Sequence, residues 1–392
     1  MVIIIFFILL LYNSETKTSR AVRFLLPVLS ALSFHLLQLL SPLYFLILLI
    51  FSTLQMHFKI HISTLLVSLL LLIPVLSSPS PISPVTKTIY QFSNPTWVEN
   101  IAATHNGSLL VSLLAKTSGA ELHLVNPFTS PTTATLIKAF PNSDSAFGIT
   151  ELSEDIFAII TGFSDLMKGP TVGSSSVWTV GLSPYGTGKE AAPIVKKIAK
   201  IKKAQFLNGA AALNSATILL ADSYAGNVVA LDTYTGQYSV VLSDASMSLN
   251  GSGPVPIGIN GLKMHDGYLY YSNTVQGTLN RVKVNPVTGC AISKFECITS
   301  SLSTPDDFAI DTDGSTILAE VPDNRVVKVS VKGVVTPVAG NQNSSLVAGV
   351  TSVTLGRTRK DRGVVYVGTN GGLARPVNGT GVEGGKVMGI WL

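Results

Sequence analysis

One short pattern recurs along this chain, and the spacing of its copies restricts the fold more than any other feature. The clearest copy is Pro256–Thr274, PIGINGLKMHDGYLYYSNT. Polar Asn260 follows an apolar approach and precedes the small apolar pair Gly261-Leu262. His265-Asp266-Gly267 then makes a turn, and the aromatic run Tyr268–Tyr271 leads to Ser272-Asn273. From Thr88 onward, short Val-, Ile-, Leu- and Tyr-rich runs alternate with Gly, Asn, Asp and Ser clusters, which predicts many short strands. Aligned on Asn260, the copies begin at Glu99, Phe147, Asn208, Asn260, Asp306 and Thr351, separated by 48, 61, 52, 46 and 45 residues. Four strands with their turns occupy roughly 40–50 residues, the period of a propeller blade. A parallel β-helix repeats at a much shorter period, and a sandwich does not repeat.

The expected fold class is therefore all-β, a six-bladed β-propeller over residues 88–392, preceded by a hydrophobic N-terminal signal or anchor region. Closing a propeller removes its edge strands when a terminal strand joins the last blade, and Thr88–Phe92 and Lys386–Leu392 are the candidates. The long second interval predicts an insertion between Gly169 and Lys203, a loop over one face.

The N-terminal sequence reads as an address. From Met56, a short basic start (His57, Lys59, His61) leads to an apolar core from about Ile62 to Leu76. The small residues Ser77-Ser78 follow, so 56–78 has a signal-peptide pattern. Upstream, 1–55 holds the apolar runs Val2–Leu11 and Phe24–Phe51, the second long enough to cross a bilayer. Two readings stay open: an over-extended start with translation from Met56, or a membrane anchor. Residues 79–87 are a Pro/Ser linker. The implied location is the secretory pathway, or a membrane if 1–55 is translated.

Net charge is +5, but removing Met1–Ser77 leaves 23 basic and 21 acidic residues. A nucleic-acid groove needs clustered charge. The candidate cluster, Lys189–Lys203, has six lysines and no interleaved aromatic, so it reads as a solvated loop and no nucleic-acid partner is expected. Cys290 and Cys297 lack nearby soft ligands for zinc, and a disulfide closing a small loop is expected. Asn106, Asn250, Asn343 and Asn378 are glycosylation sequons.

In a propeller the inner strands line a channel, so equivalent positions converge. Four of the six heads (Glu99, Asn208, Asn260, Asp306) carry oxygen donors suited to a hard cation such as Ca²⁺, or to bonding channel water. The set Glu99, Asn208-Gly, Asn260-Gly-Leu and Pro305-Asp306 resembles the gluconolactonase, luciferin-regenerating and senescence-marker-protein group of six-bladed propellers. That resemblance implies a divalent metal held by Glu99, Asn260 and Asp306, with Asn208 on metal or substrate and Asp306 as general base. The chain departs from the group at Phe206, where the group has arginine, and at Asn100-Ile101 and Asp307. These changes make the lining more apolar.

Trp97-Val-Glu-Asn-Ile-Ala, Asn106-Gly-Ser-Leu-Leu-Val and Asn260-Gly-Leu-Lys with Tyr270-Tyr-Ser-Asn-Thr more closely resemble fungal hetero-Diels–Alderases of tropolone–sesquiterpenoid pathways. This implies a pericyclase without a cofactor that aligns an o-quinone methide with a humulene-type polyene. Asp306 and Asp307 would handle protons, Asn208 and Asn260 would donate hydrogen bonds, and Phe206, Phe147 and Trp97 would form apolar walls. The alternatives are a divalent-metal lactonase using Glu99, Asn208, Asn260 and Asp306, and a non-catalytic binding propeller. No Gly-X-Ser-X-Gly elbow, Walker loop or dinucleotide fingerprint is present. His105 and His265 sit in turns, and His123 in a strand.

Overall fold

Runs such as Leu109–Leu114 and Val364–Thr369 are buried along their whole length. A strand with no exposed face must lie in a sheet covered on both sides, and the computed structural model, which describes residues 84–116, 118–165, 168–182 and 192–392, supplies that covering by stacking sheets around an axis. Six four-stranded antiparallel sheets form the blades, with one two-stranded hairpin, Ser164–Asp165 with Gly169–Pro170. The inner strands are Trp97–Ala103, Ser145–Ser153, Leu207–Asn214, Ile259–His265, Pro305–Ile310 and Val350–Leu355, and each contacts the next, closing a ring.

The apolar core is correspondingly divided into six clusters, one in each gap between neighbouring blades. Phe140 and Phe157 fill the gap between blades one and two. Tyr271 and Met247 fill that between three and four, and Phe308 that between four and five. A fully buried side chain of this size contributes roughly 1.5–3 kcal/mol, so stability is spread around the ring.

Ring closure uses both predicted segments. The outer strand of blade six is N-terminal, Val85–Gln91, and it pairs with the C-terminal strand Lys386–Trp391. The strand starts at Val85, so the linker is shorter than the 79–87 expected. All six sheets are completed between Val85 and Leu392, within one compact unit that ends at Leu392. The propeller is therefore a folding unit in its own right. The expected signal peptide and anchor lie outside the described residues. Among the described residues no helix is long and apolar enough to cross a membrane.

Three expectations are corrected. The Gly169–Lys203 interval is not simply an inserted loop: it holds the third and outer strands of blade two, Ser176–Gly181 and Ile194–Lys200. Half of the lysine cluster belongs to that outer strand. Lys196, Lys197 and Lys200 lie on an exposed sheet edge, where charge discourages pairing with another chain, and Lys189 lies outside the described residues. The two cysteines are both free. Cys297 sits opposite Asn280, while the Cys290 carbonyl accepts from Asn285 N on the same side of the blade. Those anchor points are five residues apart along one chain segment, roughly 16 Å, well beyond the ~7 Å a disulfide spans.

Each blade is a meander, so its turns fall on two faces. The inner-to-second and third-to-outer turns lie on one face, called the foot. The second-to-third turns and the links between blades lie on the other, the mouth. Every head residue is near the start of its inner strand, at the mouth.

Candidate active site

A β-bulge places every head residue. Glu99 is an extra residue between the pairs Val98–Leu113 and Asn100–Ser112. Phe147-Gly148, Asn208-Gly209, Asn260-Gly261 and Asp306-Asp307 are each squeezed opposite a single residue of the second strand. Thr351 repeats the Glu99 arrangement in blade six. A bulge bends its strand and re-aims the side chain it carries, which is why six heads with little else in common sit at one level.

Hydroxyls lock two of these bulges to the next blade. Ser112 Oγ accepts from Asn100 N at 3.0 Å and donates to Phe147 O at 2.8 Å. Ser272 Oγ accepts from Gly261 N at 2.8 Å and donates to Asp306 O at 2.6 Å. Thr351 serves a similar stitching role, its hydroxyl donating to Val98 O at 2.9 Å.

Three carboxylates gather at the channel. Asp306 Oδ1 accepts from Asn260 Nδ2 at 2.8 Å, and the same amide nitrogen donates to Thr274 Oγ1 at 3.0 Å. Asp307, 4% exposed, accepts from Lys263 Nζ at 2.6 Å and from Asn100 Nδ2 at 2.9 Å. The Asn100 bond joins blades one and five past blade six. Glu99 Oε2 accepts from the Trp97 indole at 2.6 Å. The Asn208 carboxamide is buried and has no hydrogen-bond partner among the described residues.

Burial disfavours the charged forms of Glu99 and Asp306. It raises Glu99 from 4.5 to about 7, against the Trp97 hydrogen bond and with a further push from the negative Asp307. Asp306 is held well above the carboxylate range by burial, then by Glu99 and Asp307, with Asn260 opposing. Near neutrality this pair supplies carboxylic acids that can donate a hydrogen bond or a proton.

The apolar half of the mouth adjoins these acids. Phe147 and Phe206 meet edge-to-face with centroids 5.4 Å apart, and Phe206 meets Tyr224 at 5.3 Å. Trp97, Tyr224 and Ile257 pack on the same cluster and are half-buried. Phe147 and Phe206 are 1% and 6% exposed, so both back the wall, and the half-buried Trp97, Tyr224 and Ile257 form its accessible part. The hairpin inserted in blade two passes beside this wall: a Cβ on Gly169 would lie 3.0 Å from Tyr224 Oη.

The sequence-predicted residues thus converge as two adjoining sets, Glu99–Asn260–Asp306–Asp307 and Trp97–Phe206 backed by Phe147. Lys263, Asn100, Thr274 and Tyr224 were not anticipated. Lys263 could have been found from its place three residues after Asn260, the same side of the strand once the bulge is counted. Tyr224 had no signal, because it reaches Phe206 only through the packing of two turns. The four sequon asparagines are all exposed.

The fold and site define a six-bladed propeller with an acid-and-amide channel mouth. No protein-family model matches the chain. Among solved structures it is similar to a luciferin-regenerating enzyme (TM-score 0.55, 16% identity, 79% of this chain and 96% of that one). It is also similar to a calcium-binding protein, regucalcin, from Agrobacterium tumefaciens str. C58 (TM-score 0.52, 13% identity, 79% and 94% covered). These establish the fold.

Among curated proteins it is 25% identical over 340 residues to a "Putative hetero-Diels-Alderase" of Phoma sp, covering 80% of this chain and 95% of the relative. It is 26% identical over 323 residues to "Putative hetero-Diels-Alderase asR5" of Sarocladium schorii, covering 74% and 79%. The chain is a distant homologue of these fungal proteins.

Proposed function

We propose that this protein is a pericyclase of the hetero-Diels–Alderase type. It would bind an o-quinone methide beside a humulene-type polyene and align them for [4+2] cycloaddition, in pathways that make tropolone–sesquiterpenoid-like meroterpenoids. The observation that carries this reading is the contact between an apolar wall and buried acids, joined by the Trp97–Glu99 hydrogen bond at 2.6 Å. The distant kinship with the two fungal relatives supports it.

Cycloaddition needs no nucleophile. The reaction forms one C–C and one C–O bond and expels nothing, so the protein contributes orientation, worth up to roughly 7–11 kcal/mol, and polarisation of the quinone-methide oxygen. Protonated Glu99 or Asp306 donates to that oxygen and lowers the barrier to attack by the alkene. Asn208 offers its free carboxamide as a second donor. Trp97, Phe206 and Tyr224 hold the polyene. If the quinone methide arises from a benzylic alcohol, the same acids give a proton to the departing hydroxyl, and the phenolic proton is lost as water leaves.

One observation favours a second reading. When ionised, Glu99 and Asp306 repel each other, which a divalent cation between them would relieve. The set Glu99, Asn208, Asn260 and Asp306 fits such an ion as two carboxylates with two carboxamides. Among the described residues no three His, Cys, Asp or Glu side chains converge as a metal site, so carboxamides would have to complete the shell. Bound there, a cation would polarise a lactone carbonyl.

The test is to incubate purified protein with a quinone-methide precursor and a humulene-type polyene, with and without EDTA. A faster reaction with stereochemical bias that survives EDTA is the expected result. No change in rate or stereochemistry would sink the pericyclase reading, and EDTA-sensitive lactone hydrolysis would replace it with the second.

A further inference from the structure

We propose that the foot of blades five, six and one is a docking surface for a bilayer with anionic headgroups. The sequence Gly356–Gly363, GRTRKDRG, is the foot turn between the inner and second strands of blade six. Arg359, Lys360 and Arg362 are exposed. None of the three is in an ion pair among the described residues, whereas Arg357 is held by Glu151 at 2.6 Å. The one carboxylate of the turn, Asp361, is 2% exposed, and its Oδ1 accepts from Thr358 N and Oγ1, both at 2.7 Å. The turn thus directs its negative charge inward and its three cations outward. Sequence reading missed this cluster because lysines elsewhere were more numerous.

Apolar side chains surround these cations. Trp391 and Leu392, 38% and 58% exposed, end the third strand at the foot of blade six. Val85, 67% exposed, begins the outer strand opposite Trp391. Blade five contributes Val331 and Val334 from one turn, 63% and 59% exposed, with exposed Lys332 between them. Blade one contributes Phe128, over whose ring Lys360 Nζ lies at 5.2 Å. Similar apolar tips occur on blades three and four at Tyr234 and Val287, where Asp232 and Asp266 stand nearby; blade five carries Asp313, which Lys328 pairs at 3.5 Å, so the unpaired cations of blade six define the surface.

A bilayer interface suits this arrangement better than a protein groove. The apolar tips come from separate turns on an outward-facing rim and need no complementary shape, only a layer that accepts apolar groups beside attracted cations. The position in the chain points the same way. Residue 84, to which the apolar sequence of 1–82 is joined, lies at the foot of blade six beside this cluster. Exposed cations beside apolar tips suit anionic headgroups, each cation contributing about a fivefold gain in affinity near the surface. Docked by its foot, the propeller would present the channel mouth away from the membrane.

The test uses the propeller from residue 79 to 392, made without glycans so that Asn106 on this face is unmodified. It is sedimented with phosphatidylcholine vesicles, with and without phosphatidylserine, at low and high salt. Binding should require phosphatidylserine and be lost at high salt. The triple variant Arg359→Gln, Lys360→Gln, Arg362→Gln should bind about 100-fold more weakly, at about a fivefold loss per cation. Brominated lipid should quench tryptophan fluorescence in the parent and not in Trp391→Phe. Equal binding to both vesicle types, or an unaffected triple variant, overturns the proposal. So does retention on soluble heparin without vesicle binding, which would assign the patch to a dissolved polyanion.

Discussion

Replacing Glu99 with Gln should make the propeller more stable at alkaline pH and less active. Glu99 is 8% exposed, and its carboxyl is raised from 4.5 to about 7, chiefly by burial. A raised acid holds its proton more tightly in the folded state. Between pH 4.5 and 7 the folded protein therefore keeps a proton that the unfolded chain has released, and stability declines through that window as pH rises. The contribution is fully present below 4.5 and gone above about 7. Converting that difference at 1.36 kcal/mol per tenfold gives about 3 kcal/mol. Gln cannot ionise, and its carbonyl can still accept from the Trp97 indole. Urea unfolding at pH 5 and pH 8 should show parent and variant matched within about 1 kcal/mol at pH 5, with the variant ahead by roughly 2–3 kcal/mol at pH 8. Cycloaddition by the variant should fall roughly 10²-fold at pH 6, because Gln is a weaker donor than a carboxylic acid. Equal pH dependence in both proteins would refute the buried-acid argument. A variant less stable than the parent at pH 8 would show that Glu99 is stabilised as an anion.

Three further outcomes follow from packing and exposure elsewhere in the propeller. Gly209→Ala would set a Cβ 2.1 Å from the Asn260 carbonyl, and should cost about 3 kcal/mol in urea unfolding. Gly181→Ala, whose nearest neighbours are 3.9 Å away, is the control and should change stability little. Lys263→Met leaves the nearly buried Asp307 without its cation; because Lys263 is itself 29% exposed, about 2 kcal/mol should be lost. Adding Asp307→Asn should restore most of that, and failure to do so would remove the ion pair as the cause. Both cysteines are exposed and free, so a thiol reagent should titrate two groups in the unreduced, folded propeller.

The blade count, all six heads and the two closing segments were legible because each rests on local chemistry repeated at a fixed interval. The polar-residue and glycine pairs at Asn208 and Asn260 mark bulges, and the bulge fixes which residue faces the channel wherever it occurs. What was not legible depended on contacts between blades. A six-residue cysteine spacing suggested a small closed loop, but nothing in that spacing reveals that the two residues are anchored five positions apart along one chain segment. Phe147, Phe206 and Trp97 looked equivalent as wall residues, yet interblade packing buries the two phenylalanines and leaves Trp97 half-buried. Glu99 read as a metal ligand or a water contact. Its character as an acid arises chiefly from burial that no single segment provides, with a further push from Asp307, four blades further along the chain.

The residue after each head explains why the mouth has two chemically different halves. In blades two, three and four it is Gly148, Gly209 and Gly261, and an added Cβ would lie 2.4, 2.1 and 2.7 Å from the neighbouring blade. Inner strands there approach so closely that only glycine fits, and the side chains beside the heads, buried Phe206 with half-buried Tyr224 against it, make this half apolar. In blades five, six and one the same position holds Asp307, Ser352 and Asn100. The small hydroxyl of blade six leaves room for Asn100 and Asp307 to meet at 2.9 Å across it. That bond and Lys263 fix a carboxylate beside Glu99 and Asp306, which raises the proton affinity of both. A single repeated bulge, followed by glycine on one side and by a polar residue on the other, thus sets an apolar wall against a pair of acids. An apolar diene or dienophile with one basic oxygen would find a complementary surface for each of its ends, and a fully polar sugar lactone would meet Phe206 and Trp97 in place of hydrogen-bonding groups.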